Sequence, residues 1–333
     1  MKVIISQAGS AATSPDAFRT EKSAQPKAQG RDLLIKIAAT GMNPVDTKVR
    51  TRMEQDTVLG WDAVGSVEET GSEVSNFSVG DRVFYAGDLT RPGTNSEYQL
   101  VDERLVALAP KTLDDAHAAA MPLTSITAWE ALFTRLQFTP AKGANAGKSI
   151  LIIGGAGGVG SIATQLAHWA GLTVFSTASR PDTIDWVKGR GADFILNHRH
   201  NLAKELRATG TEHVDAIFCT TQMERHWNAM AECIAPQGKI AFIDDPENPL
   251  DLTVFKPKSV SLHWEFMYTR SMFQTADMHK QGELLSNVAQ LLDEKKLRST
   301  CRLTYSGLNA ENIRKMHIEQ ESGKMIGKQV LVF

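Results

Sequence analysis

The residues whose types and spacing most clearly suggest chemistry form a glycine-rich run between a strand pattern and a helix pattern. The apolar segment Ser149–Ile153 leads into this run, and helical spacing follows over Gly158–Ala170. A G-x-G-x-x-G pattern in this context allows a tight turn, close backbone approach to a pyrophosphate, and close packing of helix on sheet. Backbone N–H groups at the helix start then face the phosphates, and the helix dipole favours their negative charge. We therefore predict a dinucleotide site formed by Gly155, Ala156, Gly157, Gly158, Val159 and Gly160.

The end of the next strand pattern, Thr173–Thr177, indicates which dinucleotide is bound. NAD-binding proteins place Asp or Glu there to hold the ribose 2′-hydroxyl. This chain instead has Ala178 followed by Ser179 and Arg180, and no carboxylate occurs before Asp182. A carboxylate would repel a 2′-phosphate, whereas Ser179 can donate a hydrogen bond and Arg180 can pair with the phosphate. We expect NADPH as the cofactor. The alternative is that Arg180 is a solvated turn residue.

Alternating strand and helix patterns surround the glycine run and predict a parallel sheet with helices on both faces. Before Pro122, short strand patterns are separated by turn signals, and long helical patterns are few. The fold class is therefore α/β, with a Rossmann doubly wound parallel sheet domain inserted in a β-rich domain. We place the Rossmann domain at 124–297 and the β-rich domain at 1–123 and 298–333. The strand patterns of the parallel sheet are Ser149–Ile153, Thr173–Thr177, Asp193–Leu196, Ala216–Cys219 and Lys239–Ile243.

Composition and charge exclude several classes of function. The 333 residues include 36 basic and 38 acidic side chains that are scattered along the chain, so no basic stripe predicts nucleic-acid binding. The cysteines Cys219, Cys233 and Cys301 fit neither a disulfide framework nor a CxxC metal site, and they suit a reducing compartment. The apolar runs are shorter than the roughly 20 residues that span a bilayer. We expect a cytoplasmic protein without nucleic-acid or membrane partners.

Beyond these patterns, the chain resembles the medium-chain dehydrogenase/reductase superfamily and, within it, the quinone oxidoreductase-like branch. The resemblance spans nearly the whole length and implies that the β-rich domain is a GroES-like catalytic domain. The segment from Phe255 onward is most similar to a subgroup often labelled zinc-type alcohol dehydrogenase-like. The segments that carry the resemblance are Gly41–Asp46, Gly60–Asp62 with Gly65 and Val67, Phe77–Val83, Thr127–Trp129, Ala156–Gly160 with Gln165, and Gly327–Leu331.

The resemblance also bears on metal binding. In zinc-containing relatives a Cys, a His in a Gly-His-Glu turn, and a later Cys or Asp hold the catalytic metal. The corresponding positions here are Asn43, Trp61 and Leu123. None offers a thiolate or an imidazole, so a tetrahedral site with nitrogen and sulfur ligands cannot form. The structural zinc lobe is also missing because no cysteine precedes Cys219. We interpret His198–His200, which holds a close histidine pair, as a surface loop, and we expect no metal.

The resemblance implies that NADPH lies in a cleft between the domains and that hydride passes to a small molecule, a quinone or an α,β-unsaturated carbonyl. It implies a homodimer or homotetramer as well. The nicotinamide ring of NADPH is expected near Asn43, Thr127 and the end of the Lys239–Ile243 strand. Further residues that the resemblance places at the cofactor are His198, Cys219, Thr220, Ile243 and Lys328.

Without zinc, another group must stabilise the negative charge that develops on the substrate oxygen. Thr127, Lys48 and Tyr85 are the candidate catalytic donors, with Arg50 as a further one, although each of these residue types is more often structural. Asp46 is expected to brace its loop. Two alternatives stay open: a reductase of simple aldehydes, similar to an alcohol dehydrogenase, and a non-catalytic NADPH-binding sensor.

Overall fold

The computed structural model describes all 333 residues, which form strands and helices in both parts of the chain. The strands are β1 (Lys2–Ser6), β2 (Phe18–Lys22), β3 (Asp32–Gly41), β4 (Thr57–Val58), β5 (Asp62–Thr70), β6 (Arg82–Tyr85), β7 (Tyr98–Asp102), β8 (Val106–Leu108), β9 (Ser149–Ile153), β10 (Thr173–Thr177), β11 (Phe194–Leu196), β12 (Val214–Cys219), β13 (Ile234–Phe242), β14 (Ser261–Trp264), β15 (Cys301–Ser306) and β16 (Lys328–Val332). The α-helices are α1 (Pro44–Arg52), α2 (Asp115–Ala119), α3 (Pro122–Trp129), α4 (Gly158–Trp169), α5 (Pro181–Lys188), α6 (Leu202–Ala208), α7 (Met223–Cys233), α8 (Thr269–Met272), α9 (Lys280–Asp293) and α10 (Ala310–Glu321).

Two compact units divide the chain. The first consists of Met1–Ile126 and Met267–Phe333, and the second of Thr127–Phe266. The Rossmann domain was expected to end at residue 297, whereas the second unit ends at Phe266. The two boundaries differ because helix α9 packs against β8 within the first unit. Gly282 permits this packing, since a Cβ there would lie 2.8 Å from the carbonyl oxygen of Val106.

The first unit is built around an antiparallel arrangement of strands in the order β15-β16-β3-β5-β6-β8, with only β15 and β16 parallel, and β7 pairs with β3. A smaller sheet has the order β2-β1-β4. Alternate residues of β3, among them Leu33 and Ile35, face an apolar core together with Val83. The expectation of a β-rich domain from short strands and turns is confirmed.

The second unit contains six parallel strands in the order β11-β10-β9-β12-β13-β14. Leu151 and Ile153 of the central strand β9 join a core that includes residues of α6 and α7. Ile150 and Ile152 alternate to the opposite face, and α4 packs against β9 and β10. The predicted α/β class with a doubly wound sheet is confirmed. The sheet also has a strand that the sequence patterns did not indicate, β14.

None of the helices has the length and apolar character needed to traverse a lipid bilayer.

In the first unit the structure adds helices that we did not expect from the sequence. Helix α1 begins with a proline and is capped by Asp46, whose carboxylate accepts a hydrogen bond from the Asn43 N–H at 2.6 Å. The expectation that Asp46 braces its loop agrees with this contact.

Helix α10 carries a fully buried imidazole, His317, which packs against the ring of Phe18 at a centroid distance of 4.7 Å. The guanidinium of Arg50 donates to its Nδ1 at 3.4 Å and also pairs with Glu321. Burial lowers the pKa of His317 to about 3, and the Arg50 charge acts in the same direction. The imidazole is therefore neutral in the folded protein.

This burial predicts a specific acid sensitivity. The unfolded chain takes up a proton on His317 near the ordinary pKa of 6.5, whereas the folded protein does so only near 3. The folded state thus binds fewer protons in that window, and the free energy of unfolding should fall as pH decreases through it. Urea denaturation of His317→Gln at several pH values should show a flatter dependence than wild type. His279→Gln, at an exposed histidine, is the matched control and should keep the wild-type slope; equal slopes in all three proteins would contradict the assignment.

Candidate functional site

The loop between β9 and α4 is shaped by close contacts that leave no room for a side chain at three of its glycines. A Cβ on Gly160 would lie 2.2 Å from the carbonyl oxygen of Gly154, and one on Gly155 would lie 1.9 Å from Ser176 Oγ. Gly154 itself has a φ of +89°, a left-handed conformation that favours glycine. These three glycines are therefore required by the fold of the second unit.

Gly157 differs from these glycines because the fold does not require it. It is the N-cap of α4 with a φ of −70°, which any residue can adopt, and a Cβ there would meet only the Gly154 carbonyl oxygen at 3.5 Å. No side chain caps this helix, and Ala156 to Val159 are half-buried rather than packed. The loop thus offers open space beside uncapped helix N–H groups, which fits a pyrophosphate.

The end of β10 adjoins this loop, as expected from the sequence. Ala178 is buried, and Ser179 and Arg180 are half-buried. The Arg180 guanidinium lies 3.3 Å from Asp182, at a partly exposed position. The backbone N–H of Arg180 donates to Thr183 Oγ1, so the start of α5 does not depend on the arginine side chain. A residue that the sequence did not single out, Thr177, accepts a hydrogen bond from the Gly154 N–H at 2.9 Å and fixes the loop to β10.

The other residues expected at the cofactor in the second unit lie at the carboxyl ends of its strands or in α3. Thr220 follows β12 and donates through Oγ1 to the Ile153 carbonyl oxygen at 2.8 Å. Cys219 is buried, and burial raises the pKa of its thiol to about 12. Ile243 follows β13 and is half-buried, and Thr127 is buried within α3. Thr220 and Cys219 thus support the edge of the sheet that carries the glycine loop.

In the first unit, Asn43 and Lys328 are brought together although they are far apart in sequence. The buried Lys328 ammonium donates to the Met42 carbonyl oxygen at 2.6 Å, to Asp62 Oδ2 at 2.9 Å, and to Asn43 Oδ1. Asn43 Nδ2 donates to the same carboxylate oxygen at 2.8 Å. An ammonium has three N–H donors, so those of Lys328 are used within this network. The cofactor role expected for Lys328 stays a prediction, with no donor left to serve it.

The positions that correspond to zinc ligands in zinc-containing relatives are occupied by this network and its surroundings. The buried Trp61 donates through Nε1 to the Asp88 carbonyl oxygen at 3.0 Å and packs edge-on against Tyr268. The Leu123 N–H donates to Asp62 Oδ1 at 2.6 Å. No group of three or more His, Cys, Asp or Glu side chains is placed to hold a metal ion. The residues present do not fit a catalytic zinc at this place.

The candidate donors occupy different environments. Tyr85 is buried, its hydroxyl donates to Gln99 Oε1 at 2.8 Å, and burial raises its pKa. Arg50 is buried in the contacts with His317 and Glu321 described above. Lys48 is half-buried on α1. Burial raises the pKa of the nearby Asp46 to about 7. The catalytic roles expected for Thr127, Lys48 and Tyr85 stay predictions.

Gly157 leaves space for a ligand whereas Gly160 allows close backbone packing, so substituting each of them gives a paired test. Gly157→Ala should fold with wild-type stability but bind a dinucleotide at least roughly 10-fold more weakly, because the methyl group enters space that a pyrophosphate would use. Gly160→Ala should instead lose about 3 kcal/mol or more of stability, because its Cβ overlaps backbone. Thermal unfolding and fluorescence titration with NADPH separate these effects. Unchanged binding by folded Gly157→Ala would contradict a dinucleotide site at this loop.

Comparisons with known proteins agree with the two units. Residues 29–111 match the family model of the alcohol dehydrogenase GroES-like domain, and residues 158–281 match that of zinc-binding dehydrogenases. A zinc-type alcohol dehydrogenase-like protein of Staphylococcus aureus strain MRSA252 is 41% identical over 316 residues, 94% of each chain. A crystal structure from Rhizobium etli CFN 42, described as a zinc-dependent alcohol dehydrogenase protein, is 46% identical with a TM-score of 0.95 and covers 100% of this chain and 98% of its own.

More distant relatives include reductases. The NADPH-dependent alkenal/one oxidoreductase of Arabidopsis thaliana chloroplasts is 37% identical over 194 residues, 54% of this chain and 48% of that protein. The Escherichia coli quinone oxidoreductase in complex with NADPH shares the fold, with a TM-score of 0.83 at 19% identity and full coverage of both chains. The resemblance seen in the sequence is confirmed: the chain belongs to the medium-chain dehydrogenase/reductase superfamily, an oxidoreductase family that uses a nicotinamide cofactor.

Proposed function

We propose that this protein is an NADPH-dependent, zinc-independent oxidoreductase that reduces quinones or α,β-unsaturated carbonyl compounds. The observation that carries the proposal is the end of β10, where Ala178, Ser179 and Arg180 stand in place of the carboxylate that holds a ribose 2′-hydroxyl. A guanidinium there favours a 2′-phosphate through charge-assisted hydrogen bonds. The NADPH named for the Arabidopsis and Escherichia coli proteins supports the same cofactor.

Zinc independence is supported by the chemistry of the donors in the first unit. Asn43, Trp61 and Leu123 supply no thiolate or imidazole, and the Lys328 ammonium contacts both Asn43 and Asp62. A buried cation that already satisfies these oxygens disfavours a second cation beside it. Without a Lewis acid, substrates that are already electrophilic are favoured. Quinones and enones meet this condition better than simple aldehydes do.

Different residues of the chain would bind the cofactor, select it and stabilise the charge on the substrate oxygen. The glycine loop holds the pyrophosphate, and Ser179 with Arg180 selects the 2′-phosphate. The reduced nicotinamide supplies a hydride when it is bound. Thr127 and Lys48 are the candidate donors to the substrate oxygen, where negative charge develops. Tyr85, also expected in this role, would first have to release Gln99.

Arg180 provides the test of cofactor choice. Arg180→Gln should raise the Kd for NADPH by about 10- to 100-fold and change that for NADH by less than about 2-fold, because the charge-assisted contact exists only with a 2′-phosphate. Asp182→Asn is the matched variant, since it removes the carboxylate that competes for the guanidinium, and it should strengthen NADPH binding. Fluorescence titration of wild type and of both variants with NADPH and with NADH gives these constants. If Arg180→Gln weakens both cofactors equally, the residue is only part of a solvated turn.

Turnover tests the substrate class. The purified protein should oxidise NADPH with a simple quinone or an alkenal, and at least roughly 10-fold more slowly with a saturated aldehyde. Hydride transfer to a quinone or an alkenal gives a delocalised anion, whereas a saturated aldehyde gives a localised alkoxide that depends more on a Lewis acid. Metal analysis should find less than stoichiometric zinc, and a chelator should leave the rate unchanged. Chelator-sensitive aldehyde reduction would indicate the alcohol dehydrogenase-like alternative. Tight NADPH binding without turnover of any of these substrates would indicate a sensor.

A further inference from the structure

A pocket of about 190 Å³ lies at the amino ends of strands in the second unit. Among its lining residues, Lys148 directly precedes β9, Asp215 lies near the start of β12, and Lys239 of β13 pairs with Ala216. The glycine loop and the Ala178–Arg180 segment instead follow the carboxyl ends of β9 and β10. A strand of five residues at roughly 3.3 Å per residue separates the two edges by about 17 Å. The pocket is therefore distinct from the candidate cofactor site.

One wall of the pocket is an interruption in the pairing of β12 with β13. Ala235–Gly238 of β13 stand outside the ladder, opposite the single residue Asp215, and all four of them line the pocket. Interruptions of this kind redirect side chains and occur preferentially beside functional sites. Gln237 in this wall has a φ of +63°, and Gln137, which also lines the pocket, has a φ of +61°. Glycine would adopt these left-handed conformations more readily, so two amide side chains are kept at the pocket against the local backbone preference.

Positive charge prevails around the pocket. Lys148 is exposed and Lys239 is half-buried, and both contribute an ammonium group. Lys239 donates to Gln137 Oε1, which uses one of its three N–H donors. The carboxylate that lines the pocket, Asp215, already accepts through Oδ2 from the N–H and the hydroxyl of Ser149 at 2.7 and 2.8 Å. Two ammonium groups thus lie around one engaged carboxylate, and an anionic group of a ligand would be attracted.

Buried apolar side chains form another part of the lining, among them Leu136, Phe138 and Ala216. The Lys148 ammonium lies 6.0 Å from the centroid of the Phe138 ring, so positive charge and aromatic surface are adjacent. A cavity of about 150 Å³ is large enough to admit benzene, so this pocket can hold a ligand with one ring. Inorganic phosphate would leave the apolar lining without contacts, whereas a small organic acid meets both the charge and the apolar surface.

We propose that this pocket binds a small carboxylic acid, as its carboxylate, with an apolar body of about one aromatic ring. The carboxylate accepts charge-assisted hydrogen bonds from Lys148 and Lys239. The apolar body packs against Leu136 and Phe138, and the Gln237 amide lies in the wall beside it. The site is additional to the dinucleotide site at the opposite edge of the sheet, so the chain can hold both ligands at once.

Benzoate is the probe for this site, with the full-length protein. It should bind at one saturable site, and benzamide, which has the same size but no charge, should bind at least about 10-fold more weakly, because it forms no ion pair with the ammonium groups. Isothermal titration calorimetry measures both constants. Saturating NADPH should leave the Kd for benzoate unchanged within about 2-fold, since the sites are separate.

Several results of these titrations would overturn the proposal. The first is no benzoate binding up to about 10 mM. The second is equal affinity for benzoate and benzamide. Displacement by NADPH would place benzoate at the cofactor site instead. Competition by inorganic phosphate at the same concentration as benzoate would indicate a site for any anion.

Three variants locate the site. Lys148→Met keeps an apolar stem but removes the charge, and it should weaken benzoate binding at least about 10-fold. Ala235→Leu should have a similar effect without a change of charge, because the larger side chain takes up space in the pocket. Lys142→Met is the matched control, since Lys142 is exposed in the same unit but does not line the pocket, and it should keep the wild-type affinity. Thermal unfolding shows that each variant is folded. Wild-type benzoate affinity in folded Lys148→Met and Ala235→Leu would refute the assignment.

Discussion

The nucleotide-binding unit depends on one steric constraint: the first turn of α4 must approach the end of β9 so closely that backbone meets backbone. A Cβ on Gly160 would overlap the Gly154 carbonyl, and one on Gly155 would overlap Ser176. This approach fixes where the N–H groups at the start of α4 point, because Thr177 holds the Gly154 N–H from the adjacent strand. The same contacts place the end of β10, with its Ser179 and Arg180, beside the loop. The proposed recognition of the cofactor and the proposed choice of NADPH therefore depend on the same packing.

Much of this unit could be predicted from the sequence because local patterns and tertiary packing agree in it. The bounds of β9 and β10 match the predicted ranges residue for residue, and α4 begins at the predicted Gly158, since each is an apolar or amphipathic run between turn residues. Strand β14 could not be predicted in this way, because it is a short edge strand with no buried residue and is defined by its pairing with β13. Helix α10 could not be predicted from the sequence pattern either, because it buries only Ile313, Met316 and His317.

The parts of the candidate site also differ in how far the sequence indicates them. The glycine loop and the Ala178–Arg180 segment are each continuous in the sequence, so residue types and spacing alone predict their chemistry. The network of Lys328, Asp62 and Asn43 joins residues up to 285 positions apart, and no local pattern indicates it. Sequence resemblance placed Lys328 at the cofactor, whereas the structure uses its donors internally. Thr177 was missed because its hydroxyl matters only through the backbone N–H that a neighbouring strand presents.

The network in the first unit also shows how a fold related to zinc enzymes can be held together by other chemistry. Lys328 on β16, Asp62 at the start of β5 and Asn43 at the start of α1 form a buried cross-link between elements of the GroES-like unit. A buried ion pair is stable only when its remaining donors and acceptors are satisfied, as they are here by the Met42 carbonyl and the Leu123 N–H. Removing either charge would leave the other unpaired in the core. This dependence explains why the lysine and the aspartate form a structural unit, and why a chain that has one of them needs both.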